Sequence, residues 1–341
     1  MRSKVILSEL KREPEIPKNL FEIVKQIAHA FEQEIFRSAR AFEGDKSRLT
    51  AYAVENLVRS LRNIDLEIGN NKDLADNLRK VFRLELQTLC LRGPLWNHGL
   101  IKPHGYPGDF EILNAIYQNT PVAKDLVGYE LDRAFLTSSL AEAVRNRKDT
   151  IVTHLFTKIR LMSKENVKIL NLACGPCVDV AELLDTDLIS PLSMLCVDYD
   201  KEAFDFAKSV IGQKVSNHNI SYLQTNVLRL RTLTNSDIAA PFDIIYSVGL
   251  LDYVPDRLVS IALRNWWQML RPGGSLLVTI KDKDKYDPTF YDWMADWTFI
   301  PRTEKQFRAL LSETLKISED KIEFKRDKTE ITIIASVIKE G

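Results

Sequence analysis

Residues 167–184 read VKILNLACGPCVDVAELL, and residues 194–200 read MLCVDYD. Val167 to Leu172 is a compact apolar run, Ala173 to Cys177 is small and turn-prone, and apolar residues resume at helical spacing from Val178 to Leu184. That pattern predicts a strand, a tight loop and a helix, the first half of a βαβ unit. Small residues in the loop let a ligand approach the backbone, whose N–H groups point beyond the strand ends. The second strand, Met194 to Val197, ends in Asp198, a carboxylate placed to accept hydrogen bonds from both hydroxyls of a ribose. Together they read as a nucleoside-binding half-site. Three other readings stay open on this stretch alone. CGPC has the spacing of a redox dithiol, although Ala173 stands where such a motif carries Trp. A dinucleotide loop would carry three glycines where this one has Asn171, Ala173, Gly175 and Cys177. The third is a plain α/β turn without a ligand.

The whole composition narrows the field. With 341 residues, 45% of them hydrophobic, the chain can bury one large core or two ordinary ones. Basic and acidic residues number 47 each, and no basic block occurs, so nothing predicts an electrostatic grip on nucleic acid or anionic lipid. Four cysteines (Cys90, Cys174, Cys177, Cys196) are too few for a disulfide scaffold and point to a reducing compartment. No metal site is expected. A four-cysteine zinc site lacks a second close pair, and Cys174 and Cys196 fall beside two strand ends. The first fifteen residues, MRSKVILSELKREPE, carry charges too close together for a signal peptide, and no run reaches the roughly 20 apolar residues of a membrane span. A soluble cytoplasmic protein is the expectation.

Upstream of the opening stretch, residues 17 to 92 show apolar positions every three or four residues. Pro17 opens a helix whose stripe runs Leu20, Val24, Ile27, Phe31, Ile35 and which Gly44 closes; a second helix spans Ser47 to Ile68, and a third Lys72 to Leu91. Residues 93–108 then pack four glycines, three prolines, His98, His104, Trp96 and Tyr106 into sixteen positions, which reads as a stiff lid loop (93–109) with aromatic and hydrogen-bonding groups at its surface. Asp109 caps a helix from Phe110 to Tyr117. A helix opening at Ser138 or Ser139 leads into the strand at Val167. On it, Arg147 is a candidate to meet a ligand carboxylate.

Downstream, strands at Ile220–Gln224, Phe242–Tyr246 and Ser275–Ile280 alternate with helices at Lys201–Ile211 and Arg257–Leu270. A helix at Lys305–Leu315 and two β runs, Lys321–Phe324 and Ile331–Val337, close the chain. The fold class is therefore α/β: a Rossmann-like, doubly wound, mostly parallel sheet with an antiparallel edge, preceded by an N-terminal helical bundle and lid. The domain division is 1–137 and 138–341, and ligands belong at the carboxyl ends of the strands.

These pieces resemble a class I S-adenosylmethionine (SAM) methyltransferase. LNLACGP matches its first motif, VDYD the second, the corner at Asn226 the adenine-contacting position, PFDIIYSVGLLDYV the fourth, and LRPGGSLLV the one after it. Over residues 85 to 341, GYPGDFEILN, AVRNR, LACGP, VGLLDYVPD and DWTFIPRT resemble the bacterial family of 3-hydroxypalmitic acid methyl ester biosynthesis, whose members methylate the carboxyl group of a hydroxy fatty acid. Pro107 stands where that family's lid motif has Ala. The resemblance implies SAM as cofactor: Ala173, Cys174 and Gly175 against its methionine part, Asp198 on the ribose, Tyr199 on the adenine face, Asn226 and Val227 at its edge, Ser247 and Gly249 beside the sulfonium. For a small-molecule acceptor the candidates are His104, Tyr106, Asp252, Tyr253, Trp297 and Arg302. An ionised carboxylate would need only an orienting Arg302 or Tyr106, whereas a hydroxyl or amine would need His104 or Asp252 as base. Two alternatives keep the same site: cyclisation of SAM's own side chain with release of methylthioadenosine, or SAM binding without catalysis. The oligomeric state is left open.

Overall fold

The computed structural model describes residues 16–162, 166–188, 191–212, 218–230 and 241–340. The N-terminal stretch weighed above as a signal peptide lies outside these residues. The chain runs α1 (Lys18–Arg40), α2 (Glu43–Ile68), α3 (Lys72–Glu85), α4 (Gln87–Cys90), α5 (Pro94–Ile101), α6 (Phe110–Gln118), α7 (Leu126–Leu136) and α8 (Ser139–Met162). It continues through β1 (Val167–Leu172), α9 (Val178–Leu184), β2 (Leu192–Asp198), α10 (Lys201–Ile211), β3 (Asn219–Gln224), β4 (Phe242–Ser247), α11 (Asp256–Met269) and β5 (Leu270–Lys281). Then come α12 (Thr289–Met294), α13 (Glu304–Leu315), β6 (Ile322–Arg326) and β7 (Thr332–Ile338).

Two compact units emerge. The first holds the residues up to Pro103 with Thr120–Thr137 and Pro288–Thr298; the second holds His104–Asn119, Ser138–Asp287 and the chain from Phe299 onward. Neither unit is continuous in sequence. The second half of the lid stretch, with α6, belongs to the sheet unit, while α12 belongs to the helical one.

The helical unit is built on aromatic burial. Trp96 has its ring centroid 5.2 Å from Phe290, and 6.4 Å from both Phe31 and Phe135, and its indole N–H donates to the Met294 carbonyl at 3.0 Å. Trp297 packs edge-on against Tyr291 at 5.3 Å. Pairs of this kind each add roughly 0.5–1.5 kcal/mol beyond the area they bury. Two expectations are corrected here. Residues 94–101 form a helix rather than a loop, with Trp96 in the core, and Trp297 is core rather than an acceptor contact. Gly44, expected to end the first helix, lies inside α2; α1 stops at Arg40.

The sheet unit has seven strands in the order β3-β2-β1-β4-β5-β7-β6, parallel except for β7, which runs antiparallel to both neighbours. Strands buried on both sides read as nearly continuous apolar runs. On one face Val259, Leu263 and Trp266 of α11 and Phe307 and Leu311 of α13 pack against Leu170, Leu172 and Ile245. On the other, Ile151, Leu155 and Ile159 of α8 and Val180 of α9 meet Ile169, Met194 and Ile244. Strand order reverses between β1 and β4, which places a crevice at their carboxyl ends.

In the helical unit, a Cβ added at Gly128 would stand 2.1 Å from the Arg92 carbonyl oxygen and 2.9 Å from the Ala123 Cβ. Gly128→Ala is therefore expected to destabilise that unit by about 1–3 kcal/mol. A urea melt followed by tryptophan fluorescence checks it, since Trp96, Trp293 and Trp297 all lie in this unit.

Candidate functional site

The turn leaving β1 places Ala173, Gly175 and Cys177 in left-handed backbone, at φ 55°, 54° and 52°. Non-glycine residues resist that region, so the turn needs external support. It comes from β2. The Cys174 N–H donates to the Val197 carbonyl at 3.1 Å, and the Gly175 N–H donates to Asp198 Oδ2 at 2.9 Å. Asp198 Oδ1 accepts from the N–H groups of Tyr199 at 2.7 Å and Asp200 at 3.1 Å. Burial pushes the Asp198 carboxyl above its ordinary range, and these three N–H groups pull the other way. A carboxylate has about four acceptor directions, so one remains for a ligand.

Below the turn lies a cavity of about 40 Å³ lined by Tyr117, Arg147, Asn171, Ala173, Gly175 and Asp179, among others. Asn171 Nδ2 and Arg147 Nε are buried there without a hydrogen-bond partner among the described residues. Asp179 accepts from the Tyr246 hydroxyl at 2.8 Å, and burial pushes its carboxyl up to about 6. Unpaired donors beside a buried carboxylate suit a zwitterionic ligand.

The lid segment follows the cap rule. Asp109 accepts the Ile112 N–H at 3.0 Å, Arg145 donates to the Ile116 carbonyl at 3.4 Å, and Leu113 of α6 faces Gly175. His104 lies among carboxylates: Nδ1 is 2.9 Å from Asp200 and 3.8 Å from Glu202, and Nε2 is 3.8 Å from Glu111. Tyr106 is partly exposed. Burial and the nearby Asp198 and Asp200 push its phenol well above the usual range.

Across the crevice, the Gly249 N–H donates to Thr279 Oγ1 at 2.9 Å, at φ 81°. A Cβ there would sit 2.8 Å from both terminal nitrogens of Arg147, so only glycine admits the guanidinium. Asp252 Oδ1 accepts the Lys281 backbone N–H at 2.6 Å, and Oδ2 is 2.8 Å from Lys281 Nζ and 4.0 Å from Arg147 Nη1. Lys281 Nζ also lies 4.0 Å from the Phe299 ring centroid, and Tyr253 packs on Phe299 at 5.2 Å. Burial lowers the Lys281 ammonium to about 8, with Asp252 opposing and Arg147 adding to the fall.

The structure thus gathers Ala173, Cys174, Gly175, Asp198 and Arg147 around the β1 turn, and Gly249, Asp252 and Tyr253 after β4. The remaining candidates make contacts within the protein or face solvent. Ser247 donates to the Leu172 carbonyl at 2.9 Å, bridging two strands. Val227 is buried in the core with its carbonyl taken by the Trp266 indole at 3.2 Å, and Asn226 caps a short turn by accepting the Leu228 N–H at 3.0 Å. Tyr199 is exposed. Arg302 is buried: Nε donates to Asp256 at 2.7 Å, Nη1 to the carbonyls of Leu251 at 2.9 Å and Ile300 at 3.3 Å, and Nη2 to the Val254 carbonyl at 2.5 Å. It clamps the segment after β4 and has no arm for an acceptor. Sequence reasoning missed Lys281, Tyr117 and Asp179 and did not assign Asn171 a contact. A lysine closing an apolar strand, as in SLLVTIK, was the available signal for the first.

A parallel sheet whose switch-point crevice carries a braced turn, a strand-end carboxylate and unpaired buried donors defines a nucleoside-binding α/β protein. Residues 169–274 match the profile of a family described as Methyltransferase domain. Among solved structures, a possible exported protein from Bordetella parapertussis is similar over 88% of this chain and 100% of that one, at 18% identity and a TM-score of 0.56, which shows the shared fold. The S-adenosylmethionine-dependent methyltransferase SibL in its apo form overlaps 86% of this chain and 78% of that one, at 13% identity and a TM-score of 0.47. Magnesium protoporphyrin IX methyltransferase from Synechocystis PCC 6803 with bound SAH overlaps 58% and 85%, at 10% identity and a TM-score of 0.44. No curated protein sequence matches the chain at a significant level. The match to a methyltransferase domain lies wholly within the sheet unit. No helix among the described residues is long and apolar enough to cross a membrane.

The charge arrangement is itself testable. Asp252→Ala would leave Lys281 and Arg147 buried without their shared counter-ion, at an expected cost of about 3–5 kcal/mol in stability. Thermal denaturation measures it, and the double variant Asp252→Ala with Lys281→Met should recover part of the loss.

Proposed function

We propose that this enzyme transfers the methyl group of SAM to a carboxylate oxygen of a small molecule. Bound SAM supplies a methyl on a sulfonium whose displacement leaves a neutral thioether, so the protein's task is to hold the acceptor about 3 Å away and in line. The site fits that cofactor. Arg147 and Asn171 offer donors to the methionine carboxylate, Asp179 faces its ammonium, and the backbone at Ala173, Cys174 and Gly175 lies alongside. Asp198 has an acceptor direction left for the ribose hydroxyls, Tyr199 can cover the adenine, and Asn226 with the Val227 backbone meets its edge. Ser247 and Gly249 border the sulfonium.

The observation that carries the acceptor class is that Asp252, the candidate carboxylate base, holds Lys281 with both oxygens. A hydroxyl or amine must lose a proton to react, whereas a carboxylate is ionised above its ordinary value of about 4. The buried cation Lys281, paired with Asp252, supports an anionic guest, with Tyr106 and Tyr253 to orient it. The resemblance to the 3-hydroxypalmitic acid methyl ester family supports the same class.

Asp198→Ala should weaken SAM binding by roughly 10- to 100-fold by calorimetry, in line with about 1.5–3 kcal/mol for a charged hydrogen bond; unchanged affinity would remove Asp198 from the site. With a long-chain hydroxy acid as acceptor, kcat/KM should be level through neutral pH. It should fall as pH rises through about 8, where Lys281 loses its charge. Lys281→Arg should move that fall to higher pH, because a guanidinium stays charged. A loss of activity at acid pH that disappears in His104→Asn would instead identify a hydroxyl or amine acceptor. Methylthioadenosine formed without any acceptor would identify cyclisation.

A further inference from the structure

Three of the four cysteines meet in space. The sulfurs of Cys174, in the turn after β1, Cys177, at the mouth of α9, and Cys196, on β2, all lie within 4.8 Å of one another, and all three residues are buried. We propose that they form a three-sulfur site for a thiophilic d10 metal ion of the zinc or copper(I) type, seated beneath the cofactor turn.

The geometry suits one central ion. Metal–sulfur bonds of about 2.3 Å put three ligating sulfurs roughly 4 Å apart, which small side-chain rotations reach from the present arrangement. The donor set is entirely thiol: among the described residues no carboxylate or imidazole joins the cluster. Such a set selects soft ions and rejects magnesium or calcium, which require oxygen. Ligation exchanges three S–H bonds for three metal–sulfur bonds, the protons passing to solvent, with no change of oxidation state. Sequence separation hid the site. Cys196 comes level with Asn171 because β1 and β2 are parallel in that register, and the left-handed turn then carries Cys174 and Cys177 back towards it.

A bound ion would link two parts of the cofactor site. Cys174 lies between Ala173 and Gly175 in the turn, and Cys196 precedes Asp198 by two residues, so the tie runs parallel to the Gly175–Asp198 hydrogen bond. Occupancy would hold the turn in its left-handed form in the absence of SAM.

The test uses the full chain, reduced and stripped of metal, titrated without SAM under anaerobic conditions with Zn²⁺ and separately with Cu⁺. Native mass spectrometry gives the stoichiometry, and competition with a chromophoric chelator gives the affinity. One ion per chain is expected for at least one metal, retained in Cys90→Ala. Binding should weaken by about 100-fold or more in Cys177→Ala and in Cys196→Ala, since even loss of an outer partner costs 10- to 100-fold. Should those variants fold poorly, Co²⁺ added to the wild type should give intense thiolate-to-metal charge-transfer absorption. Neither ion binding the wild type, binding unchanged in both variants, or a Cys174–Cys177 disulfide in the reduced-state preparation would overturn the proposal. Because SAM is absent throughout, each of these results leaves the methyl-transfer reading where it stands.

Discussion

The hydrogen bond from the Gly175 N–H to Asp198 Oδ2 is the constraint on which the site depends. Three residues of the turn after β1 adopt left-handed backbone, and two of them, Ala173 and Cys177, are not glycine. Each such residue costs about 1–2 kcal/mol in isolation. The turn persists because β2 meets it twice, through the Val197 carbonyl and the Asp198 carboxylate. Parallel pairing is what makes this possible: Leu172 lies level with Val197, so the chain leaving β1 emerges beside the end of β2. The sheet therefore sets both the shape of the cofactor turn and the position of the carboxylate facing it.

Much of this was legible in the sequence because it is local. The run VKILNL, the small turn, the helical spacing after it and the acid closing MLCVD are all patterns within ten residues, and they specify β1, α9 and β2 to within two residues at their ends. The antiparallel edge was readable too, since two short β runs close to one another near the chain's end have little room for a crossover. What escaped was non-local. Lys281 meets Asp252 across 29 positions of chain, and Cys196 meets Cys174 across 22, through a register that no periodicity encodes. The aromatic residues at 93–108 and 289–297 misled for a related reason. A segment rich in Gly, Pro and Trp reads as an exposed loop until a partner for the indole is known, and Trp96 finds Phe290 nearly two hundred residues away.

Polar residues buried in this unit are held in pairs or clusters, and that sorts roles that residue type alone leaves mixed. Arg302 and Arg147 are both buried arginines with a carboxylate nearby. All three nitrogens of Arg302 donate to Asp256 or to backbone carbonyls, so its contribution is to fix the segment between β4 and α11. Arg147 Nε has no partner among the described residues, while its guanidinium packs on Gly249 and meets Asp252 and Tyr117. An unpaired buried donor is costly in a folded protein unless a ligand completes it. The accounting of donors thus separates the clamp from the proposed ligand contact.

The same accounting supports the proposal that this site positions an acceptor rather than taking a proton from it. A general base must be ionisable near neutral pH and have a free acceptor directed at the substrate. Asp252 divides its oxygens between the backbone and the ammonium of Lys281. Freeing Asp252 to take a proton would strand Lys281 in an interior that already lowers its ammonium to about 8. The pair is better suited to holding an anion in place than to removing a proton, because the ammonium keeps its charge only while negative charge is close by. An anionic acceptor supplies more of it, so its arrival strengthens the contacts that orient it.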